Sequence, residues 1–80
     1  MAVVTLRLFA GAREAAGAST TLYDASTVSE ILSLAENDFG DAFSEILAIS
    51  RVWLNGDPVE GDAEISDGDE VAVLPPVSGG

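Results

Sequence analysis

The sequence predicts an α+β domain, a mixed sheet of about five strands with one main helix packed across a single face. Three observations carry this expectation. Period-two alternation of apolar residues opens the chain at Val3 to Phe9 and closes it at Val71 to Leu74, one stretch between them, Val28 to Ala35, has helical spacing, and 80 residues hold one core and no second domain.

Alternation in the first strand puts Val4, Leu6 and Leu8 on one face and Val3, Thr5, Arg7 and Phe9 on the other. The first set is wholly apolar and belongs to the core. Phe9 then falls on the opposite face, where a phenyl ring requires cover from its own chain or from a partner. Gly11 to Gly17 is Ala-rich and bounded by glycines, which predicts one or two helical turns with Arg13 and Glu14 facing water. Ser19 to Tyr23 predicts a short edge strand returning antiparallel to the first, and Asp24-Ala25-Ser26 makes the next turn.

Thr27-Val28-Ser29-Glu30 fits a capping box, in which the Thr27 hydroxyl accepts from the Glu30 amide while the Glu30 side chain reaches back to the Thr27 amide. A helix should begin at Val28. Val28, Ile31, Leu32, Leu34 and Ala35 supply its apolar stripe, and Gly40 ends it. Asp41 is expected to cap a shorter helix that keeps Phe43, Ile46 and Leu47 on the core side. Arg51 to Leu54 returns to period two, with Val52 and Leu54 on one face and Arg51 and Trp53 on the other. Asn55-Gly56 signals a tight turn, followed by a short Pro58-Val59 strand that Pro58 confines to an edge. Asp62 to Asp69 is a turn-rich loop whose Ile65 should plug the core, and its acidic residues lack calcium-loop spacing. No metal site is expected there. In the last strand Val71 and Val73 point inward, and Ala72 and Leu74 outward.

Cysteine, histidine and lysine are all absent, which removes disulfides, thiolate chemistry, the usual neutral-pH general base and the Schiff-base amine. An enzyme acting alone is not expected. Fourteen acidic residues against three arginines give a formal charge of −11, which disfavours nucleic acid and anionic membrane and favours a basic protein surface. Salt-adapted and high-GC genomes shift composition the same way, so the acidity has an organismal account as well. With no long apolar run or basic leader, the expected location is cytoplasmic.

The last residues, Leu74-Pro75-Pro76-Val77-Ser78-Gly79-Gly80, divide the chain into a domain over 1–76 and a flexible Gly-Gly tail over 77–80. Two prolines favour an extended exit from the strand, and two glycines end it with no side-chain bulk. Such an arm suits a narrow channel in another protein, where any Cβ would collide with the walls. An ordinary frayed end is the alternative. The Gly-Gly ending by itself favours the frayed end, and what favours the arm is the family resemblance that the turn and strand directly upstream, Asp67-Gly68-Asp69-Glu70-Val71-Ala72-Val73-Leu74, carry.

That C-terminal segment, with Leu8-Phe9-Ala10-Gly11-Ala12-Arg13-Glu14 near the start, resembles the small-subunit family of molybdopterin synthase, ubiquitin-like sulfur carriers of matching length. Sulfur carriers of thiazole synthesis and archaeal ubiquitin-like modifiers share the plan and stay open as alternatives. The resemblance implies a ubiquitin-like β-grasp, with the first and last strands parallel and adjacent at the centre of the sheet. It also implies that Gly80, preceded by Gly79, becomes an acyl-adenylate and then a thiocarboxylate. An α-carboxyl with a pKa of about 3.5 is ionised at neutral pH and is a poor electrophile until activated. The implied partners are therefore a ubiquitin-activating-like adenylating enzyme that uses ATP, a sulfur donor, and the large catalytic subunit, while this chain binds no cofactor. Phe9, Arg13, Leu74, Pro75, Pro76 and Val77 are expected to meet the partner, with Trp53 beside them unless the Gly56 to Glu64 loop folds over that face.

Overall fold

The computed structural model describes residues 2–76, in which five strands form one sheet: β1 (Val3–Leu8), β2 (Thr20–Asp24), β3 (Arg51–Leu54), β4 (Asp57–Pro58) and β5 (Glu70–Leu74). Their order across the sheet is β2-β1-β5-β3-β4. β1 and β5 are parallel and every other pair is antiparallel, as the β-grasp expectation requires. Three helices, α1 (Ala10–Ala16), α2 (Val28–Phe39) and α3 (Asp41–Ala48), occupy the connections. Among the described residues no helix is long and apolar enough to cross a membrane.

The alternation reads out as expected. Val4, Leu6 and Leu8 of β1 and Val71 and Val73 of β5 are buried, and they pack with Val28, Ile31 and Ala35 of α2 and Phe43 of α3 in one apolar core. Ile65 joins that core from the loop, 6% exposed. No polar or charged residue is buried among the described residues, so the core carries no desolvated group to satisfy.

Helix α2 begins where the sequence places it, with the Glu30 amide donating to the Thr27 hydroxyl at 3.1 Å. The reciprocal half of the capping box is different. Glu30 accepts from the Ser26 amide at 2.6 Å in place of the Thr27 amide. The next two amides, of Val28 and Ser29, donate to the carbonyls of Ala63 and Gly61 at 3.0 and 2.8 Å, so the loop satisfies the helix end that side chains alone would leave open. The same bonds hold that loop on the helical side. It does not fold over the other face of the sheet.

Asp41 is not a cap. Gly40, at φ 87° and ψ −167°, is the shared junction between α2 and α3, and Asp41 is the first helical residue, where its charge still favours the helix dipole. The left-handed φ lets the chain fold α3 back, so that Phe39 and Phe43 meet edge to face at 5.3 Å. α3 is a structural partner of α1 as well: the Ile46 methyl lies 3.1 Å from where a Cβ on Gly11 would project, so a larger residue there would require the Ile46 side chain to give way by a few tenths of an ångström. The hairpin turn at Asn55-Gly56 has both φ angles positive, 49° and 88°, and shifts the following strand one residue earlier than expected, to Asp57–Pro58.

The two faces of the sheet should respond differently to the same substitution. Val4→Ser and Val73→Ser should each cost about 2–4 kcal/mol, because both side chains are fully buried and a hydroxyl there has no partner. Phe9→Ser and Leu74→Ser should cost less than about 1 kcal/mol. Urea midpoints of the four variants test the assignment, and equal losses from both faces would overturn it. A further test concerns Tyr23, whose hydroxyl donates to Asp38 at 2.7 Å and ties β2 to α2. Burial, that hydrogen bond and the Asp38 charge push it from 10.0 up to about 12. A group whose pKa is raised on folding contributes stability that is complete below pH 10.0 and is lost as pH rises through about 12. Tyr23 is the only tyrosine and there is no lysine. Tyr23→Phe should therefore abolish the alkaline fall in urea midpoint across that window, and an unchanged fall in the variant would refute the assignment.

Candidate functional site

Parallel pairing of β1 with β5 brings the C-terminal ends of both strands to the same edge of the sheet, with Leu8 opposite Val73. Phe9 and the Leu74-Pro75-Pro76 arm therefore leave the sheet side by side. The Phe9 amide donates to the Val73 carbonyl at 3.3 Å, and the Phe9 carbonyl accepts from the Ala12 and Arg13 amides at 3.0 and 3.3 Å, which pins α1 directly behind the ring. Between them Ala10 takes a left-handed φ of 48°, a conformation that costs a non-glycine residue about 1–2 kcal/mol. The neighbouring hydrogen bonds hold it there and fix the direction in which Phe9 points.

The ring is 38% exposed, and the Arg7 guanidinium sits 5.5 Å from its centroid, a cation–π distance. Arg7 in turn lies 3.6 Å from Glu70. Strand register places Arg51 opposite Leu74, Trp53 opposite Ala72, and Pro58 beyond Trp53, all on the face that no helix covers. Leu74, Pro75 and Trp53 are half-buried, and Pro76 is exposed. The result is an apolar strip of Phe9, Leu74 and Trp53 at the root of the arm, edged by arginines. The Gly56 to Glu64 loop leaves this strip open, as its bonds to α2 require.

Phe9, Leu74 and Pro75 are thus brought together as the sequence suggests, and Arg13 stands exposed in the last turn of α1, linked to Phe9 through its backbone. Val77, Gly79 and Gly80 lie outside the described residues. Sequence reasoning did not assign Arg7 and Arg51 to the site, although parity had already placed them with Phe9 and Trp53. It also assigned no face to Leu22, which is 64% exposed on the same side of the sheet, opposite Thr5 and away from the arm.

Nothing in this strip performs acid–base chemistry. Among the described residues there is no cluster of side chains that would hold a metal ion. Asp69, whose carboxyl is held below its ordinary range by the Ser66 amide and then by the Asn55 side chain, serves the turn before β5. A shallow cleft of about 310 Å³ between α1 and α3, lined by Ala15, Ala42, Glu45, Ile46 and Ile49, belongs to the helical layer. The strip is an uncovered, mainly apolar surface at the point where the chain leaves the sheet after Leu74.

Comparison with known proteins agrees with this arrangement. The model of the ThiS family matches residues 6–80. No curated protein matches the chain. Among solved structures, SAMP1 of Haloferax volcanii superposes with a TM-score of 0.86 at 29% identity, covering 98% of this chain and 99% of that one. A protein described as molybdopterin converting factor subunit 1, of Pyrococcus furiosus, gives 0.85 at 26% identity, over 96% of this chain and 100% of its own. The BexX/CysO complex of Amycolatopsis orientalis contains a chain that gives 0.81 at 26% identity, over 96% and 99%. With the family match running over residues 6–80, and with solved relatives that superpose over nearly the whole β-grasp domain, this chain belongs to the ThiS family of ubiquitin-like sulfur carriers.

Proposed function

We propose that Gly80 is the sulfur-carrying residue and that the sulfur goes to a large synthase subunit in the assembly of molybdopterin. ATP, bound by a separate activating enzyme, converts the Gly80 carboxylate to an acyl-adenylate with release of pyrophosphate; a donor sulfur then displaces AMP and leaves a thiocarboxylate. The observation that carries this reading is the position of the uncovered apolar strip. Phe9 and Leu74 flank the exit of a Pro-Pro arm that runs in sequence to Gly79-Gly80, so a protein that covers the strip also receives the arm. Similarity to a molybdopterin converting factor subunit and to a chain crystallised in the BexX/CysO complex supports the synthase as that protein.

A second reading is a protein modifier joined through Gly80 to amines of other proteins. Likeness to SAMP1, whose name is small archaeal modifier protein, favours it. The two share activation and differ in the acceptor. Absence of lysine bars lysine-linked chains of this protein on itself under either reading.

The test is to incubate the purified chain with its activating enzyme, ATP and a sulfur donor, and to measure intact and fragment masses. The expected product has one oxygen replaced by sulfur at Gly80, and a variant with one residue added after Gly80 should not be adenylated. Sulfur found elsewhere, or normal adenylation of the extended variant, would remove the proposal. Phe9→Ser and Leu74→Ser should each weaken binding to the large subunit by about 2 kcal/mol. Titration calorimetry measures this, and undiminished binding would move the docking surface to another face.

A further inference from the structure

The chain as a whole is built to attract a basic partner, with fourteen acidic residues and three arginines. The uncovered face at the root of the arm does not share that bias. Arg7 and Arg51 occupy it by strand register, opposite Ala72 and Leu74 of β5, whereas Arg13 lies past its edge, exposed one turn into α1 after Phe9. Of the carboxylates on the strands, Asp24 and Glu70 fall on that face, and Glu14 stands beside Arg13 in α1. Glu70 is engaged by Arg7 at 3.6 Å, and Asp24 stands opposite Val3, at the end of β1 remote from the arm. Among the described residues Arg13 and Arg51 form no ion pair. In a chain so rich in carboxylates, Arg51 beside the root of the arm is left without one among the described residues.

We infer that the partner protein covering this face presents carboxylates to Arg51 and Arg13, around an apolar centre that receives Phe9, Trp53 and Leu74. This rests on the docking reading above and specifies the partner's chemistry. Guanidinium is the cation best suited to such a place, because it is weakly hydrated and pairs with a carboxylate through two parallel hydrogen bonds. Arg51 is the better placed of the two, since its register partner is Leu74, the last strand residue before the arm. Local pairing therefore runs against the sign of the net charge. The long-range field of the chain slows approach to an acidic patch, and the arginines select the one orientation in which the arm faces its channel.

The experiment titrates the large synthase subunit with wild type, Arg51→Gln, Arg51→Glu and Arg13→Glu at low and moderate salt. Loss of the charge in Arg51→Gln should raise Kd about three- to fivefold. Reversal in Arg51→Glu and Arg13→Glu should raise it roughly tenfold or more, with the losses shrinking as salt rises. Urea midpoints should match wild type, as these exposed side chains make no ion pair in the domain. Unchanged or tighter binding by Arg51→Glu, with Phe9→Ser and Leu74→Ser still impaired, would overturn this inference and leave the docking reading standing. Failure of the wild-type chain to bind would end both. Self-association of the isolated chain that Arg51→Glu abolishes, read by sedimentation equilibrium, would also overturn it by making a second copy the occupant.

Discussion

The parallel pairing of β1 with β5 at the centre of the sheet is the constraint on which the rest depends. Two parallel strands cannot be joined by a hairpin, so everything from Phe9 to Asp69 has to serve as the connection between them. That connection carries three helices and three further strands, and the helices that cover the core lie on one side of the sheet. The other side is left to water or to a partner. Parallel direction also sends the ends of both strands to one edge, which is why Phe9 and Leu74 are neighbours although they are separated by nearly the whole chain. An antiparallel pairing would have put Phe9 at one end of the molecule and the arm at the other.

A small domain with a single core depends on the backbone groups of its connections finding partners, because it has little apolar burial to set against an unsatisfied amide. The loop after β4 shows how this is met. It gives the Gly61 and Ala63 carbonyls to the start of α2, Ile65 to the core, and the Ile65 amide to the Ser26 carbonyl. The turn before β5 is held in a similar way by Asp69, which accepts from Ser66 and Asn55, while the Asn55 side chain accepts from the Glu70 amide. Those bonds join the β3–β4 hairpin to the start of the last strand. Acidic residues in this region are thus partly structural, and composition alone does not separate these from carboxylates that only face solvent.

The faces of β1, β3 and β5, the start of α2 at Val28 and the hairpin at Asn55-Gly56 were legible because each rests on a local rule: period two, a capping residue, or a pair of residues that tolerate positive φ. Other features depend on atoms distant in sequence. Glu30 bonds the Ser26 amide while loop carbonyls hold the Val28 and Ser29 amides, and no pattern within Thr27 to Glu30 discloses a loop some thirty residues away. Gly40 displaces Asp41 as the cap because α3 must fold back against α1, where Gly11 admits Ile46. Ala10 in a left-handed conformation was not legible at all, since alanine has no preference for it and only the bonds around Phe9 impose it. At the site, parity had placed Arg7 and Arg51 on the face of Phe9 and Trp53. The significance of Arg51 emerged only when strand order set it opposite Leu74, beside the root of the arm.

Under the proposed function the chain has to be recognised by both an activating enzyme and a synthase and retained by neither, and that requirement bears on the composition of the face. A wider apolar strip would hold more tightly, but it would also expose more hydrophobic surface on the free chain, with self-association as the consequence. The observed strip is short. Phe9 is little more than one-third exposed, Leu74 and Trp53 are half-buried, and the area is interrupted by the Arg7–Glu70 pair. Charged groups at the edge of an interface contribute orientation and rate more than affinity. In the proposed function such a face would set the direction of the arm without tight binding, and the free energy that drives transfer would come from the activated carboxyl, not from the docking surface. The absence of cysteine, histidine and lysine fits the same division of labour. A chain whose terminal carboxyl is to be made electrophilic is safest when it holds no side-chain thiol, imidazole or amine to react with it.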